Sequence, residues 1–408
     1  MHKRHNQVSV ETKSTGSKFI IGFSRQMGCL DMNILLLGTN ITTGGAQRVL
    51  LDLAGWLYQQ DIPVTAAFIF DCDGLLPAWQ KRFAFPVNCS NAWIQDDRPL
   101  RQAKRLLVGW FHLIKWMRRE RFSAILTFTH DSNILGIPAA WLAGIPVRFG
   151  SHHVRYPSLS KIKILLHTWI MNSHIASGLV AVSGFTRTQA IEEGVNPERI
   201  HIVHNGIDIL SLTANHPASV RDEILSEGEG PLVVSIGRLV PQKGQSYFVK
   251  GAAEVLKTYP RAVFCIAGDG PLKSELLNLI GALGISSQVR LLGNRQDIPD
   301  LLAACDLFVL TSLYEGLPMV LLEAMSAGAP VICTNIPGVT DVITNGETGL
   351  LVPSQNVMHL AEAICRVLSD DALRRKISQN GKTLVQESFS LTRMGQQYLK
   401  LLGSKDCR

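Results

Sequence analysis

In Ser235-Ile-Gly-Arg-Leu-Val-Pro-Gln-Lys243-Gly244 an apolar run ends, a Gly-Arg pair follows, and Lys-Gly leads into a helical pattern. Arg238 and Lys243 therefore sit at a strand-to-helix turn, where backbone N–H groups already favour an anion and charged donors strengthen the hold. A diphosphate is the natural guest, although a solvated basic loop would explain this spacing on its own. A second stretch changes the balance. Leu310-Thr-Ser-Leu-Tyr-Glu315-Gly-Leu-Pro-Met-Val-Leu-Leu-Glu323-Ala spreads two glutamates across a helix start. Pro318 suits the first helical turn, which leaves Glu315 and Gly316 in the loop and Glu323 inside the helix. A loop carboxylate can accept hydrogen bonds from a sugar, one farther along the helix can hold two ribose hydroxyls, and the N–H groups between them can meet phosphate. Glu323 lies among Val, Leu, Ala and Met, and a carboxylate in so apolar a helix needs a partner.

Histidines mark a second region. His130 follows the apolar run Ala124–Phe128, and His152-His153 follow Val147–Gly150. Both positions fall at the carboxyl ends of neighbouring strands, where His130 is the better candidate for a sugar or acceptor contact; the residues alone leave open which of His152 and His153 points inward. Asp71-Cys-Asp73 suggests a divalent-cation site, but two carboxylates make a poor one, and a polar turn with Gly74 is the simpler expectation. No metal is expected, because Arg238 and Lys243 can neutralise a leaving diphosphate. Gly268-Asp-Gly270-Pro-Leu-Lys has only the first half of the glycine pattern of a nicotinamide dehydrogenase.

The pairing Gly-Arg-x4-Lys-Gly with Glu-x7-Glu resembles the large retaining glycosyltransferase family 4, of the GT-B fold. Matching pieces run from about Met32 to Phe389: Gly44-Gly45-Ala46-Gln47-Arg48, Ala181-Val-Ser183-Gly-Phe-Thr-Arg187, Asn205-Gly-Ile-Asp208, Gly268-Asp-Gly-Pro271 and Leu292-Gly293. The resemblance implies a nucleoside-diphosphate-sugar donor, with Arg238 and Lys243 on its phosphates, Glu323 on its ribose and Glu315 on its sugar. It places Gly44, Gly45, Gly237, Gly268, Gly316, Leu317 and Glu323 in donor binding, Arg238, Lys243, Glu315 and His130 in catalysis, and His152 and His153 at the acceptor. Gln47 departs from the commoner Gly-Gly-Ala-Glu. The implied acceptor is a lipid-linked or polysaccharide intermediate of a bacterial-type envelope. A sugar-nucleotide epimerase and a non-catalytic nucleotide-sugar-binding protein are the alternatives; loss of Arg238, Lys243 or Glu315 would have favoured the latter, and all three are present. A phosphorylase of the same fold would need a pyridoxal lysine, for which no local pattern stands out.

These residues need elements to hold them. From residue 33 short β-branched or Leu-rich runs alternate with helical stretches, the signature of a parallel sheet wrapped by helices. Strands are predicted at Asn33–Gly38, Val64–Phe70, Ala124–Phe128, Val147–Gly150, Gly178–Val182 and Arg199–Val203, with helices such as Ala46–Gln60, Ile134–Ala143 and Thr186–Glu193 between them. Residues 209–230, broken by Pro217, Gly228 and Gly230, read as a linker. Beyond it come predicted strands at Leu232–Ile236, Ala262–Ala267, Val289–Leu292, Leu307–Leu310 and Val331–Cys333. The expected architecture is therefore α/β, with two Rossmann-like doubly wound domains facing a central cleft. Residues 1–31 would be an irregular tail, 32–208 an acceptor-binding domain, 231–386 a nucleotide-sugar-binding domain, and 387–408 a helical segment packing back on the first domain.

A length of 408 residues suits two cores, and 46% hydrophobic against 18% charged residues excludes a disordered chain. The eight cysteines are scattered without a CxxC pair, so reduced thiols in the cytoplasm are expected. No apolar run approaches the roughly 18–20 residues of a membrane span. Charge is uneven, at +3, +6 and −2 for residues 1–31, 32–207 and 208–408, which suits an anionic partner for the first half and no nucleic acid is indicated. Arg98–Arg121 concentrates it, with eight basic residues and one acidic, Glu120. On a helical wheel Leu100, Ala103, Leu107, Phe111 and Ile114 share a face expected to pack on the sheet. Arg101, Lys104, Arg105, Lys115 and Arg119 share another, with Trp116 among them. Such a helix fits the anionic inner face of the cytoplasmic membrane.

Overall fold

The computed structural model describes residues 32–42, 44–90, 99–153, 160–210 and 212–403. The tail 1–31, Arg98, and the side chains of Leu100, Arg101 and Ala103 lie outside the described residues. Two all-parallel sheets organise the chain. The first has seven strands in the order β3-β2-β1-β4-β5-β6-β7: β1 Ile34–Asn40, β2 Val64–Phe70, β3 Val87–Cys89, β4 Ala124–Phe128, β5 Val147–His152, β6 Gly178–Ala181 and β7 Ile200–Ile202. The second has six in the order β10-β9-β8-β11-β12-β13: β8 Leu232–Ile236, β9 Val263–Ala267, β10 Val289–Gly293, β11 Leu307–Leu310, β12 Val331–Thr334 and β13 Leu350–Val352. Each order reverses direction once, between β1 and β4 and between β8 and β11. At such switch points the loops leaving the strands diverge and open a crevice for ligands.

Helices cover both sheets. In the first domain these are α1 Gly45–Gln59, α2 Leu76–Arg82, α3 Pro99–Glu120, α4 His130–Ala143, α5 Lys161–Asn172 and α6 Gly184–Glu192. The strands are near-continuous apolar runs, as sheets buried on both faces require; β1, for example, buries Ile34, Leu35, Leu36 and Leu37 completely. The stretch read as a linker contains α7, Pro217–Ile224, with proline at its start. It packs on α10, Ile298–Ala304, and Asp300 accepts from the N–H groups of Asn215 and His216 at 2.6 Å each. Glycine and proline in the flanking turns concealed it. The second domain continues through α8 Gln245–Val255, α9 Lys273–Ala282, α11 Met319–Ala327, α12 Val357–Ser369 and α13 Asp371–Ser388. The last helix, α14 Leu391–Gly403, lies on α1, with Gly395 against the Trp56 ring. Gly395 leaves room for that ring, since a Cβ there would overlap it.

Helix α3 differs from the wheel expectation. Among its described residues the buried hydrophobic side chains are Leu113, Ile114 and Met117, whereas Phe111 is 61% exposed and Leu107 is also exposed. Trp116 does not stand out among the basic residues but packs against Phe122, ring centroids 5.3 Å apart. Helices α3 and α5 both pack on α4, and α5 shows solvent its own apolar residues, Ile162 at 78% and Trp169 at 61%, with Leu165 beside them. No described helix is long and apolar enough to cross a membrane. Cys265, Cys305 and Cys333 are buried in the second domain, and burial raises the thiols of Cys265 and Cys305 to about 12.

Candidate active site

The loops that leave β8, β9 and β11 carry the second-domain wall of the cleft. Gly237 and Gly268 lie side by side at the ends of β8 and β9, where Gly237 N–H donates to the Ala267 carbonyl (2.9 Å) and Gly268 N–H to that of Gly293 (2.7 Å). Arg238 is exposed just beyond Gly237, and among the described residues no carboxylate pairs with it. Its own carbonyl is held by Gln245 Nε2 at 2.9 Å. Lys243 closes a short 3-10 turn, Pro241–Lys243, and Gly244 follows with φ of 61° before α8 begins. That backbone and the Thr311 carbonyl, which a Cβ would strike, restrict the position to glycine. Lys243 and the β11 loop are thereby locked together: Thr311 Oγ1 donates to the Lys243 carbonyl (3.0 Å), and Lys243 Nζ reaches Glu315 Oε1 at 2.6 Å. Ser312 Oγ donates to the same carboxylate oxygen at 2.7 Å.

Glu315 and Glu323 are both buried, as is Leu317 between them. Glu323 lies in α11 among Leu321, Leu322, Ala324 and Met325, so its partner has to come from elsewhere. That partner is Arg48 of α1, in the opposite domain. Burial pushes the Glu323 carboxyl above its usual range, and the Arg48 charge opposes the shift. Arg48 also faces Asp52, one turn on, at 3.6 Å. Asp52 is pushed up to about 6, chiefly by burial; Arg48 lowers it, while Glu323 and Asp208 raise it.

Gly44 precedes α1 and Gly45 opens it; a Cβ on Gly45 would come 4.0 Å from Met319 of α11. These glycines thus bring the α1 start against the second domain. Gln47 folds back over Gly44 and donates to the Asn40 carbonyl at 3.2 Å, which fastens the loop to the end of β1. At the start of α6, Ser183 Oγ donates to the Gly316 carbonyl (2.8 Å), and Phe185 N–H to Asp341 (2.9 Å). Gly316 is pressed against the His153 carbonyl so closely that any side chain would overlap it. The two walls therefore meet around the groups that the sequence singled out.

The histidines divide. His153 stacks on Phe128 at 5.4 Å and its Nε2 lies 3.1 Å from Ser151 Oγ, while burial and then His152 lower its imidazole to about 3. His152 is completely buried. It joins His130 and His167 around Glu193: His130 Nε2 lies 3.2 Å from Oε2, His152 Nε2 3.5 Å from Oε1, and His167 Nδ1 3.8 Å from Oε2. Neither Glu193 nor His167 was singled out by the sequence, and nor was Arg48 beyond its place in the glycine motif. Asp71, by contrast, caps α2: its carboxylate accepts from the N–H groups of Leu75 and Leu76 at 3.0 and 2.9 Å.

Two Rossmann-like domains that face each other with their switch points on a shared cleft form the GT-B architecture. Residues 43–209 match the family described as Glycosyltransferase Family 4, and residues 218–384 match Glycosyl transferases group 1. An Escherichia coli UDP-Gal:alpha-D-GlcNAc-diphosphoundecaprenol alpha-1,3-galactosyltransferase is 30% identical over 324 residues, covering 77% of this chain and 81% of the relative. A Campylobacter jejuni N,N'-diacetylbacillosaminyl-diphospho-undecaprenol alpha-1,3-N-acetylgalactosaminyltransferase is 28% identical over 72% of this chain and 81% of its own. Anabaena Alr3699/HepE, solved in complex with UDP and glucose, shares the fold with a TM-score of 0.79 at 24% identity, over 91% of this chain and 99% of that one. The chain belongs to glycosyltransferase family 4. It is a glycosyltransferase, and the epimerase and non-catalytic alternatives have no support among these relatives.

The Arg48–Glu323 pair makes a testable claim. Arg48→Met leaves a buried carboxylate without its counter-charge, which should cost about 1–3 kcal/mol of stability. Urea denaturation at pH 7.5 should show that loss, and Arg48→Met with Glu323→Gln should recover part of it. A single variant as stable as wild type would remove the pair from the account.

Proposed function

We propose that the enzyme transfers a sugar, with retention of configuration, from a nucleoside-diphosphate-sugar to a hydroxyl of a lipid-linked saccharide at a membrane surface. The observation that carries this reading is the Lys243–Glu315 contact, which joins the loop of Arg238 and Lys243 to the loop and helix of Glu315 and Glu323. In this reading the donor's diphosphate lies against Arg238, Lys243 and the N–H groups near Gly316, its ribose against Glu323 and its sugar against Glu315. Gly44 and Gly45 approach the phosphates from the other domain, and His130 contacts the sugar. The lipid-linked acceptor is supported by the names of the two relatives with undecaprenol-diphosphate substrates.

The chemistry follows from where charge develops. As the anomeric carbon–oxygen bond breaks, negative charge grows on the leaving phosphate oxygen. Fixed cations aimed at that oxygen stabilise the transition state more than the ground state. For retention, the acceptor oxygen bonds to the anomeric carbon on the face that the diphosphate leaves, and its proton passes to the departing phosphate oxygen. No nucleophile of the enzyme is needed. Lys243 spends its charge on Glu315 in the structure, so a phosphate approaching Lys243 competes with a carboxylate 2.6 Å away.

Residues exposed on α3 and α5 support a membrane-facing role. Leu107 and Phe111 on one helix, and Ile162, Leu165 and Trp169 on the other, are apolar groups in water. Lys104, Lys115, Arg118 and Arg119 are exposed on α3 beside them, and Lys161 and Lys163 begin α5. Apolar side chains flanked by cations fit the boundary between anionic headgroups and acyl chains. The site of action would be the inner face of the cytoplasmic membrane.

Two measurements follow. Arg238→Ala and Lys243→Ala should each lower kcat/KM by about 10²–10³-fold, or roughly 2.7–4 kcal/mol; turnover should survive excess chelator. Near-wild-type rates in both variants would remove the phosphate assignment. Phe111→Ser combined with Trp169→Ser should keep the melting temperature, since both side chains are exposed, and should abolish sedimentation with phosphatidylglycerol vesicles. Equal vesicle binding by variant and wild type would contradict the docking surface.

A further inference from the structure

The buried cluster around Glu193 joins four elements: His130 opens α4, His152 ends β5, His167 lies in α5 and Glu193 follows α6. Placing one carboxylate and three imidazoles away from water is costly unless each polar atom is matched. Hydrogen bonds settle one ring directly. Thr127 Oγ1 donates to Asn133 Oδ1 at 2.5 Å, and Asn133 Nδ2 donates to the Ser151 carbonyl at 3.0 Å. The other Asn133 N–H then meets His167 Nε2, also at 3.0 Å. His167 Nε2 is therefore an acceptor, its proton sits on Nδ1, and Nδ1 faces Glu193. Burial keeps this ring neutral, holding its imidazole well below the ordinary value, with His130 and His152 adding to the shift.

His130 and His152 both present Nε2 to the same carboxylate. Burial alone would raise the Glu193 carboxyl; hydrogen bonds from these two rings more than offset that and hold it far below the usual range. An ionised carboxylate only accepts, so the His130 Nε2 that meets it carries a proton, which in the neutral ring leaves the lone pair on Nδ1. His130 is also the one member of the three rings that keeps some exposure, 7%. It adjoins Thr129, whose φ of 81° is unusual for a residue other than glycine. Thr129 Oγ1 bonds to Thr39 Oγ1 at 2.7 Å, which ties this turn to the end of β1 at the switch point.

We infer that Glu193 is a positioning residue for the transfer reaction: by accepting the Nε2 proton of His130 it fixes that ring's tautomer and leaves Nδ1 to accept a hydrogen bond from a hydroxyl of the bound sugar. The inference rests on the reading of His130 as a sugar contact. It gives the reaction a carboxylate–imidazole pair built wholly from the first domain, with Glu193 63 positions from His130 in the chain. The arrangement parallels the physical logic of other oriented imidazoles, in which a buried carboxylate sets the tautomer without itself gaining a proton. His152 Nε2 meets the same carboxylate, and His167 Nδ1 stands 3.8 Å from it, beyond hydrogen-bond reach.

Glu193→Gln tests this, because the nearly isosteric amide has one acceptor oxygen where His130 and His152 both present Nε2, and its NH2 group then opposes an Nε2–H. Nitrogen-15 histidine spectra of the full-length enzyme, with His130 identified through His130→Asn, should show His130 protonated on Nε2 in wild type. That signature should be lost in Glu193→Gln. With the donor of highest turnover among UDP-, GDP- and ADP-sugars, Glu193→Gln should lower kcat by about 10²-fold, with donor KM changed less than about threefold. It should add little in a His130→Ala background, as expected of two residues acting as a unit. If the glutamine variant fails to fold, Glu193→Asp keeps the charge with a shorter reach and should retain the Nε2 proton while kcat falls. Wild-type kcat in Glu193→Gln, with a slow His130→Ala enzyme, would overturn the inference and leave the His130 reading standing. Wild-type kcat in His130→Ala would instead remove the His130 reading. Stoichiometric zinc bound by wild type and lost from the Glu193→Gln enzyme would also overturn the inference, since the metal would then occupy the place of the Nε2 proton.

Discussion

A carboxylate inside an apolar helix must find positive charge nearby, and Glu323 finds it across the cleft. That single requirement couples the two domains at the place where a nucleotide is proposed to bind. Arg48 reaches over from α1 because Gly44 and Gly45 let the helix start lie close to Met319. A short distance away Lys243 answers Glu315 within the second domain. Arg238 apart, these charges are held in pairs, and in the proposed function an incoming diphosphate and ribose have to compete for them. Exchange of this kind keeps buried ions compensated as ligands arrive, at the expense of some binding energy.

The backbone supports the same geometry. Gly244 brings Lys243 under the β11 loop, and Gly316 lets that loop meet the His153 carbonyl without a side chain between. Ser183 and Asp341 add hydrogen bonds from either side. With α14 laid on α1, the chain's last helix ties the second domain's end to the helix that carries Arg48. Local rigidity at the switch points and charge compensation across them therefore act together, holding the cations of the second domain opposite the first-domain loops.

Much of this was legible in the sequence because it is written in local patterns. Val64–Phe70, Ala124–Phe128, Leu232–Ile236 and Leu307–Leu310 have the same ends in the structure as in the apolar runs that announce them. The edge strands Val87–Cys89 and Leu350–Val352 were missed; three residues carry too little periodicity. Helix Pro217–Ile224 was hidden by its glycine-rich surroundings. At the site, the need of Glu323 for a partner could be read from its apolar neighbours, but the partner could not. Arg48 lies in another domain, and nothing local distinguishes its role. Glu193 was invisible for the same reason, as one of two adjacent glutamates at the end of an ordinary helix. The apolar face of α3 was misassigned because a helical wheel gives the stripes and not which stripe meets the sheet.

The central claim is retaining transfer from a nucleotide sugar, and the configuration of the product tests it most directly. Incubation with UDP-, GDP- and ADP-sugars and an undecaprenyl-diphosphate-linked N-acetylglucosamine acceptor in vesicles should release one nucleoside diphosphate per sugar transferred. Proton NMR of the isolated product should then show the anomeric configuration of the donor, α from an α-linked donor. A β-linked product from an α-linked donor would contradict the account.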